Sequence, residues 1–194
     1  MATETRTMLS TAATDALRRT LRGEALLPGD HGYDDSRAVW NAMIDRQPAL
    51  IVQPRDAADV ASAVNFARDH GLEIAVKGGG HNVAGHAVCD DGLMLDLSPL
   101  RAVSVDPQTR TARVQPGALL ADLDRETQAH GLATPAGFIS STGVAGLTLG
   151  GGFGYLSRRW GLTVDNLRAV DLVSASGEPL RASAGQHPEL FWGL

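Results

Sequence analysis

Several things are scarce in this sequence. It has one cysteine, Cys89, so neither an internal disulfide nor a cysteine-based zinc knuckle can form. Aromatic residues are only 5% of the chain. Positive charge is in deficit: 17 Lys and Arg against 22 Asp and Glu leave a net charge of −5. That balance lacks the basic face that nucleic acid or an anionic membrane requires. No run supplies the ~18 consecutive apolar residues of a membrane helix. The uncharged stretch Gly143 to Ser157 is shorter and full of glycine. Glu4, Asp15 and the Arg18-Arg19 pair interrupt any secretory leader pattern. These absences lead to the expectation of a cytoplasmic protein with no nucleic-acid or membrane partner.

Glycine, by contrast, is plentiful. The 22 glycines among 194 residues exceed the ~7% average, and they cluster. The length allows one ordinary domain or two small ones.

Leu9, Leu17 and Leu21 give residues 8–22 a loosely helical spacing. Tyr33 to Met43 reads as a short helix with Val39, Trp40 and Met43 turned inward. Ala49-Leu50-Ile51-Val52, closed by Pro54, is a buried strand. Asp56 is placed to cap the helix that follows, and Asp59 to favour its dipole. Val60, Ala63, Val64 and Ala67 share one face of it, and His70-Gly71 ends it. Glu73 to Lys77 is a second strand. Strand, helix and strand so closely joined predict parallel pairing of the two strands by a right-handed crossover. Leu93 to Leu97 is a further strand. Val103–Val105 and Thr111–Val114 flank a hairpin turn, and Leu119, Leu120 and Leu123 begin a helix that Gly131 closes. From 133 to 161 periodicity is lost. Arg168–Ser174 and Pro179–Ala182 form a second hairpin around Ser176-Gly177, and Pro188 opens a last helix.

Gly78-Gly79-Gly80-His81 follows the second strand directly. Three glycines together cost backbone entropy, of order 0.5–1 kcal/mol each against alanine. They allow successive N–H groups to converge as an anion nest, for which phosphate or pyrophosphate is the natural guest; a tight turn is the alternative use. Neither a Walker loop nor G-x-G-x-x-G is present. A histidine beside bound phosphate can be a simple hydrogen-bond donor, a base or, when neutral, a nucleophile, and for a lone histidine the plain reading is favoured. His81, His86, Cys89, Asp90 and Asp91 lie close together, yet match no standard zinc spacing, so no metal is expected. Cys89 reads as a small buried residue. The second cluster, Ser140-Ser141-Thr142-Gly143-Val144-Ala145-Gly146 running into Gly150-Gly151-Gly152-Phe153-Gly154, has no charge and little bulk. It suits backbone approach to a large, flat, polar ligand, where the alternative is a packed glycine-rich loop.

Taken in order, these segments resemble one family. Tyr33-Asp34, Arg37, Trp40-Asn41, Pro48-Ala49, Pro54 and Asp59-Val60 lead into Val76-Lys77-Gly78-Gly79-Gly80-His81-Asn82. Gly143 to Gly154 leads into Tyr155-Leu156, Arg158-Arg159, Gly161-Leu162 and Asp165-Asn166. The chain is identified by these motifs as similar to berberine bridge enzyme-like flavoproteins. These are PCMH-type, vanillyl-alcohol-oxidase-type, FAD-dependent oxidoreductases.

The resemblance implies an α+β FAD-binding domain of two subdomains with FAD between them. Residues 1–44 would be an N-terminal helical segment. Residues 45–100 would be the first subdomain, with the pyrophosphate loop at 77–82, and 101–194 the second, incomplete at its C-terminal end. It implies cofactor contacts from Lys77, Gly78, Gly79, Gly80, Asn82, Gly85 and His86. Ser141, Thr142, Gly143, Gly146, Thr148 and Gly152 form a second cradle, and Val170 meets the adenine. His81 carries a single covalent link to the flavin 8α-methyl carbon, or there is none and His81 only hydrogen-bonds to FAD. Ile139 stands where some members place a second, cysteinyl link, so none is expected here. The implied reaction passes hydride from a small organic substrate to flavin N5, with O2 as acceptor giving peroxide. Family members continue beyond Leu194 into a substrate domain that supplies the base, so no catalytic residue is assigned. The alternative is a non-catalytic flavin- or nucleotide-binding module.

Overall fold

The structure is a computed structural model that describes residues 9–194. The leader assessment at residues 1–8, and the first residue of the helix expected over 8–22, lie outside the described residues. The chain divides into two compact units, each considered by itself. Unit 1 comprises the chain to Lys77, Asn82–Leu97 and Ala175–Glu178; unit 2 comprises Gly78–His81, Ser98–Ser174 and Pro179–Leu194.

Unit 1 is built on a four-stranded sheet. The first helix, α1 (Thr11–Thr20), starts where the Ser10 side chain accepts the Ala13 N–H, and it buries Thr14 and Leu17. Strand β1 (Glu24–Leu26), which the sequence pattern does not reveal, follows. Helix α2 (Tyr33–Arg37) is shorter than the Tyr33–Met43 expectation. Arg37 bonds Asp34 Oδ1 at 2.7 Å and also Asp45, and Ala38 turns to extended geometry. The chain past Arg37 is therefore not helical, and Trp40 and Met43, expected inward, are 64% and 90% exposed. Then come β2 (Leu50–Gln53), α3 (Ala57–Asp69), β3 (Ile74–Lys77) and β4 (Leu93–Asp96).

The sheet order is β1-β2-β4-β3. β2 and β3 are parallel, as expected, but each pairs with β4 rather than with the other. β2 and β4 are the two inner strands, and β4 is buried at all of its positions, as a strand with parallel neighbours on both sides should be. Alternation sorts the side chains. Leu50, Val52, Leu93 and Leu95 pack with Leu17, Ala63 and Ala67 on one face. Ile51 and Met94 pack with Leu26, Tyr33 and Val88 on the other. Each fully buried leucine contributes roughly 2 kcal/mol of apolar transfer. Asp56 caps α3 through the Ala58 and Asp59 N–H groups, and Gly71, at φ +63°, ends it. Cys89 is buried as expected, and burial pushes its thiol up.

Unit 2 carries two hairpins and several short helices. Strands β5 (Val103–Asp106) and β6 (Thr111–Val114) pair antiparallel. Helix α4 (Leu120–Gln128) buries Leu120 and Leu123 against Ala118 and Val144. The aperiodic stretch contains α5 (Val144–Leu149) and α6 (Ser157–Trp160), helices too short and too glycine-rich to show a 3.6-residue period. A 3₁₀ turn (Val164–Asn166) precedes the hairpin of β7 (Ala169–Val173) and β8 (Pro179–Ser183). Pro188 opens α7 (Pro188–Gly193) at its first turn. Among the described residues, no helix is long and apolar enough to cross a membrane.

Candidate cofactor site

The two glycine clusters meet in unit 2. A Cβ on Gly79 would fall on the backbone of Gly143, and one on Gly143 would fall on the backbone of Gly79. A Cβ on Gly78 would lie 2.9 Å from the Pro116 carbonyl oxygen. Main chain packs on main chain here, which only glycine permits. Gly80 adds a positive φ of +69°. The Ser140–Gly143 segment is held by α4: Leu120 N–H donates to Thr142 O at 2.9 Å and Ala121 N–H to Ser140 O at 3.0 Å. Gly143 in turn precedes α5, whose Val144 N–H bonds Ala118 O at 2.9 Å.

His81 leaves this junction half-buried. Its Nδ1 is 3.4 Å from Gly79 O, and its Nε2 is 3.5 Å from Ser141 Oγ. The carbonyl can only accept, so Nδ1 is the donor in that contact, whereas the serine hydroxyl can either donate to Nε2 or accept from it.

The remaining second-cluster residues divide by what surrounds them. Gly146 is exposed, and nothing lies within 4 Å of the place its Cβ would occupy. Thr148 is buried and spends its hydroxyl on Val144 O at 2.7 Å. Gly152 sits at φ +68°, where a Cβ would strike Thr163 and Leu147. Thr163, which the sequence does not single out, bonds Gly152 O through its N–H at 2.8 Å; its own buried hydroxyl has no partner among the described residues. Val170 is half-buried in β7, opposite Ala182.

Asn82, Gly85, His86 and Lys77 belong to unit 1. Asn82 Oδ1 accepts the His86 N–H at 3.0 Å and Asn82 O accepts the Gly85 N–H at 3.1 Å, a local turn. Gly85, at φ +80°, packs on Ile44, and the His86 side chain is exposed. Lys77 faces inward. Its Nζ donates to Ser36 O at 2.5 Å and stands 3.7 Å from Asp96 Oδ2. Gln53 Nε2 completes that buried group, bonding Asp96 Oδ2 at 2.9 Å and Ser36 Oγ at 3.1 Å. The Lys77 ammonium is thus committed to the interior.

Two carboxylates hold backbone in place. Asp59, buried, accepts N–H bonds from Arg22 at 2.9 Å, Gly23 at 2.9 Å and Arg55 at 2.8 Å. Burial pushes its pKa up, but these bonds and the Arg22 charge outweigh it and leave the carboxyl below its ordinary range. Asp122, at the start of α4, accepts the Leu119 N–H at 2.9 Å and pairs with Arg101 at 2.7 Å. Burial again opposes and the bonds again prevail, so its pKa is lowered.

Among the described residues no cluster of His, Cys, Asp and Glu could hold a metal ion. The stretch from 131 to 157 contains no acidic side chain that would repel a phosphate, while Ser140 and Ser141 are exposed. Bare backbone, hydroxyls and one imidazole are a donor set suited to a dinucleotide cofactor and poorly suited to a cation.

A family model described as an FAD binding domain matches residues 48–183. The chain belongs to this family of FAD-binding domains, and its relatives are FAD-linked oxidoreductases. It is 38% identical over 175 residues to (R)-6-hydroxynicotine oxidase of Paenarthrobacter nicotinovorans, covering 90% of this chain and 38% of that protein. The crystal structure of 6-hydroxy-D-nicotine oxidase from Arthrobacter nicotinovorans is similar with a TM-score of 0.89 and 36% identity, over 96% of this chain and 40% of that one. Physcomitrella patens BBE-like 1 gives a TM-score of 0.89 at 31% identity, over 94% and 40% of the two chains. Glucooligosaccharide oxidase from Acremonium strictum, described with a 6-S-cysteinyl, 8α-N1-histidyl FAD, gives 0.88 at 31% identity, over 94% and 39%. The fold is therefore that of the berberine bridge enzyme-like, PCMH-type oxidases. The chain spans about two fifths of the length of these relatives.

Proposed function

We propose that this chain is the FAD-binding part of an oxidoreductase and that His81 is joined covalently to the flavin 8α carbon. The observation that carries this is the main-chain contact of Gly79 with Gly143, which puts His81 beside Ser141 within one unit. In this reading Gly78, Gly79, Gly80 and Asn82 hold the pyrophosphate through backbone N–H groups. Ser141, Thr142, Gly143, Gly146, Thr148 and Gly152 line the second cradle, Val170 meets the adenine, and Lys77, Gly85 and His86 support the first loop. A subdomain boundary falls near residue 100. Bound FAD supplies a hydride acceptor at N5, with a small organic substrate as donor and O2 as terminal acceptor.

The chain's own residues orient and hold. Gly79 O and Ser141 Oγ flank the imidazole and orient its ring, and the ring nitrogen that is unprotonated is the one that bonds to the flavin. The absence of side chains at Gly79 and Gly143 keeps this geometry tight.

Expressed with FAD, the chain should carry flavin absorbance that survives acid precipitation, and mass spectrometry should show a protein-plus-FAD adduct. His81→Ala should lose the acid-stable colour while His130→Ala, an exposed histidine after α4, keeps it. A folded wild-type chain that takes up no FAD would sink the proposal. Flavin that is bound but released by acid would leave FAD binding standing and remove the covalent link.

A further inference from the structure

Aromatics are few in this chain, yet three of them gather at the surface of unit 2. Phe138, Phe153 and Tyr155 are 53%, 67% and 89% exposed. Phe138 is their common partner. Its ring centroid lies 5.9 Å from that of Phe153, with the planes at 74°, and 5.5 Å from that of Tyr155, with the planes at 40°. Two rings close to a right angle make a corner with a floor and a wall.

The corner is rigidly mounted. A Cβ on Gly154 would fall on the Ala136 carbonyl, so the segments bearing Phe138 and Phe153 pack main chain to main chain. Gly154 N–H bonds Ser157 Oγ at 3.0 Å, and a Cβ on Gly137 would meet Leu147 at 2.6 Å. Aromatic side chains held out in water in a fixed array forgo a large burial term and mark a binding surface.

Its position says what occupies it. Phe138 stands three residues before Ser141 in sequence, so their Cα atoms are within ~11 Å. The turn closed by Thr142 N–H to Ile139 O at 2.9 Å shortens that span. Ser141 Oγ is itself 3.5 Å from His81 Nε2. A flavin attached at His81 through its 8α carbon begins at the edge of its ring system, so that ring system lies within reach of the corner. A flat conjugated ring matches a corner of two rings, whose preferred partners are offset or edge-to-face. No charged side chain from 131 to 157 opposes an apolar occupant.

We propose that Phe138, Phe153 and Tyr155 seat the ring system of the flavin, an assignment that rests on the FAD reading above. Phe138 is the central contact, and Tyr155 closes over one side.

Flavin fluorescence and affinity test this independently of turnover. Contact with a tyrosine ring quenches flavin emission, whereas a phenylalanine ring does not. In the full chain loaded with FAD, Tyr155→Phe should raise flavin emission several-fold. In a His81→Ala background, where FAD would be held without a covalent bond, Phe138→Ser should weaken FAD binding on the order of tenfold. Thermal unfolding of the unloaded variants should match the parent, because the replaced rings are largely exposed. If the wild type binds FAD and neither emission nor affinity moves, the seat is wrong and the FAD reading stands. If the wild type binds no FAD, both fall. If the unloaded chain instead self-associates and Phe138→Ser and Tyr155→Ser abolish that without affecting FAD, the surface belongs to a second copy and the seat is overturned.

Discussion

Asp59 shows how much one side chain decides. Its position in the first turn of α3 is accounted for by the helix dipole. Its burial and its bonds to Arg22, Gly23 and Arg55 show a larger duty: it ties the chain before β1 and the loop after β2 to one carboxylate. Asp59→Ala would leave buried N–H groups without acceptors and should destabilise the chain by about 3 kcal/mol in urea unfolding. The pH dependence has a definite sign. Because the folded carboxyl titrates below its ordinary range, its stabilisation is complete above the unfolded value of about 3.9 and disappears as pH falls through the folded value. Asp122 acts in the same direction. Stability should thus be flat from pH 7 to 5 and drop below about 4, where the unfolded carboxylates begin to bind protons. Asp59→Asn should start lower at pH 7 and fall less steeply in acid.

At the scale of elements, the glycines separate into two kinds. Gly78, Gly79, Gly143 and Gly152 lack side chains because neighbouring protein atoms occupy the space. Gly146, in the middle of α5, has open space around it. Gly79→Ala should therefore disrupt the junction whether or not FAD is present, visible as a lower melting temperature of the unloaded chain. Gly146→Ala should leave the unloaded chain as stable or more so, since alanine favours a helix by up to ~1 kcal/mol over glycine. If FAD retention nevertheless falls in Gly146→Ala, the cause is the ligand's approach and not the fold. Both clusters are visible in the sequence, because runs of glycine stand out in composition. Their division is not, since crowding around an absent Cβ depends on residues distant in the chain.

For the molecule as a whole, a net charge of −5 stands beside a stretch, 131–157, that carries no charged side chain at all. A ligand that binds only the folded chain raises stability by mass action, about 2.7 kcal/mol at a hundredfold excess over Kd. In His81→Ala the melting temperature should therefore climb with FAD concentration, whereas wild type already loaded should gain nothing from added FAD. Calorimetry of both across an FAD titration checks this, and a flat His81→Ala series would contradict non-covalent binding.

Local chemistry alone marks out strands over 49–52 and 93–97, within a residue of the observed β2 and β4, together with the capped helix α3 and both hairpins. Each depends on near neighbours: alternation, an Asp at the cap, turn residues between apolar runs. The insertion of β4 between β2 and β3, the outward position of Trp40 and Met43, and the existence of β1, α5 and α6 were decided by tertiary packing. A three-residue edge strand and four- to six-residue helices carry too little period to register, and a central place in a sheet goes to whichever strand is buried on both faces. The meeting of Gly79 with Gly143 and the gathering of Phe138, Phe153 and Tyr155 belong to the same class. The glycine excess and the few aromatics are visible in the sequence, but what they touch is settled only when distant segments come together.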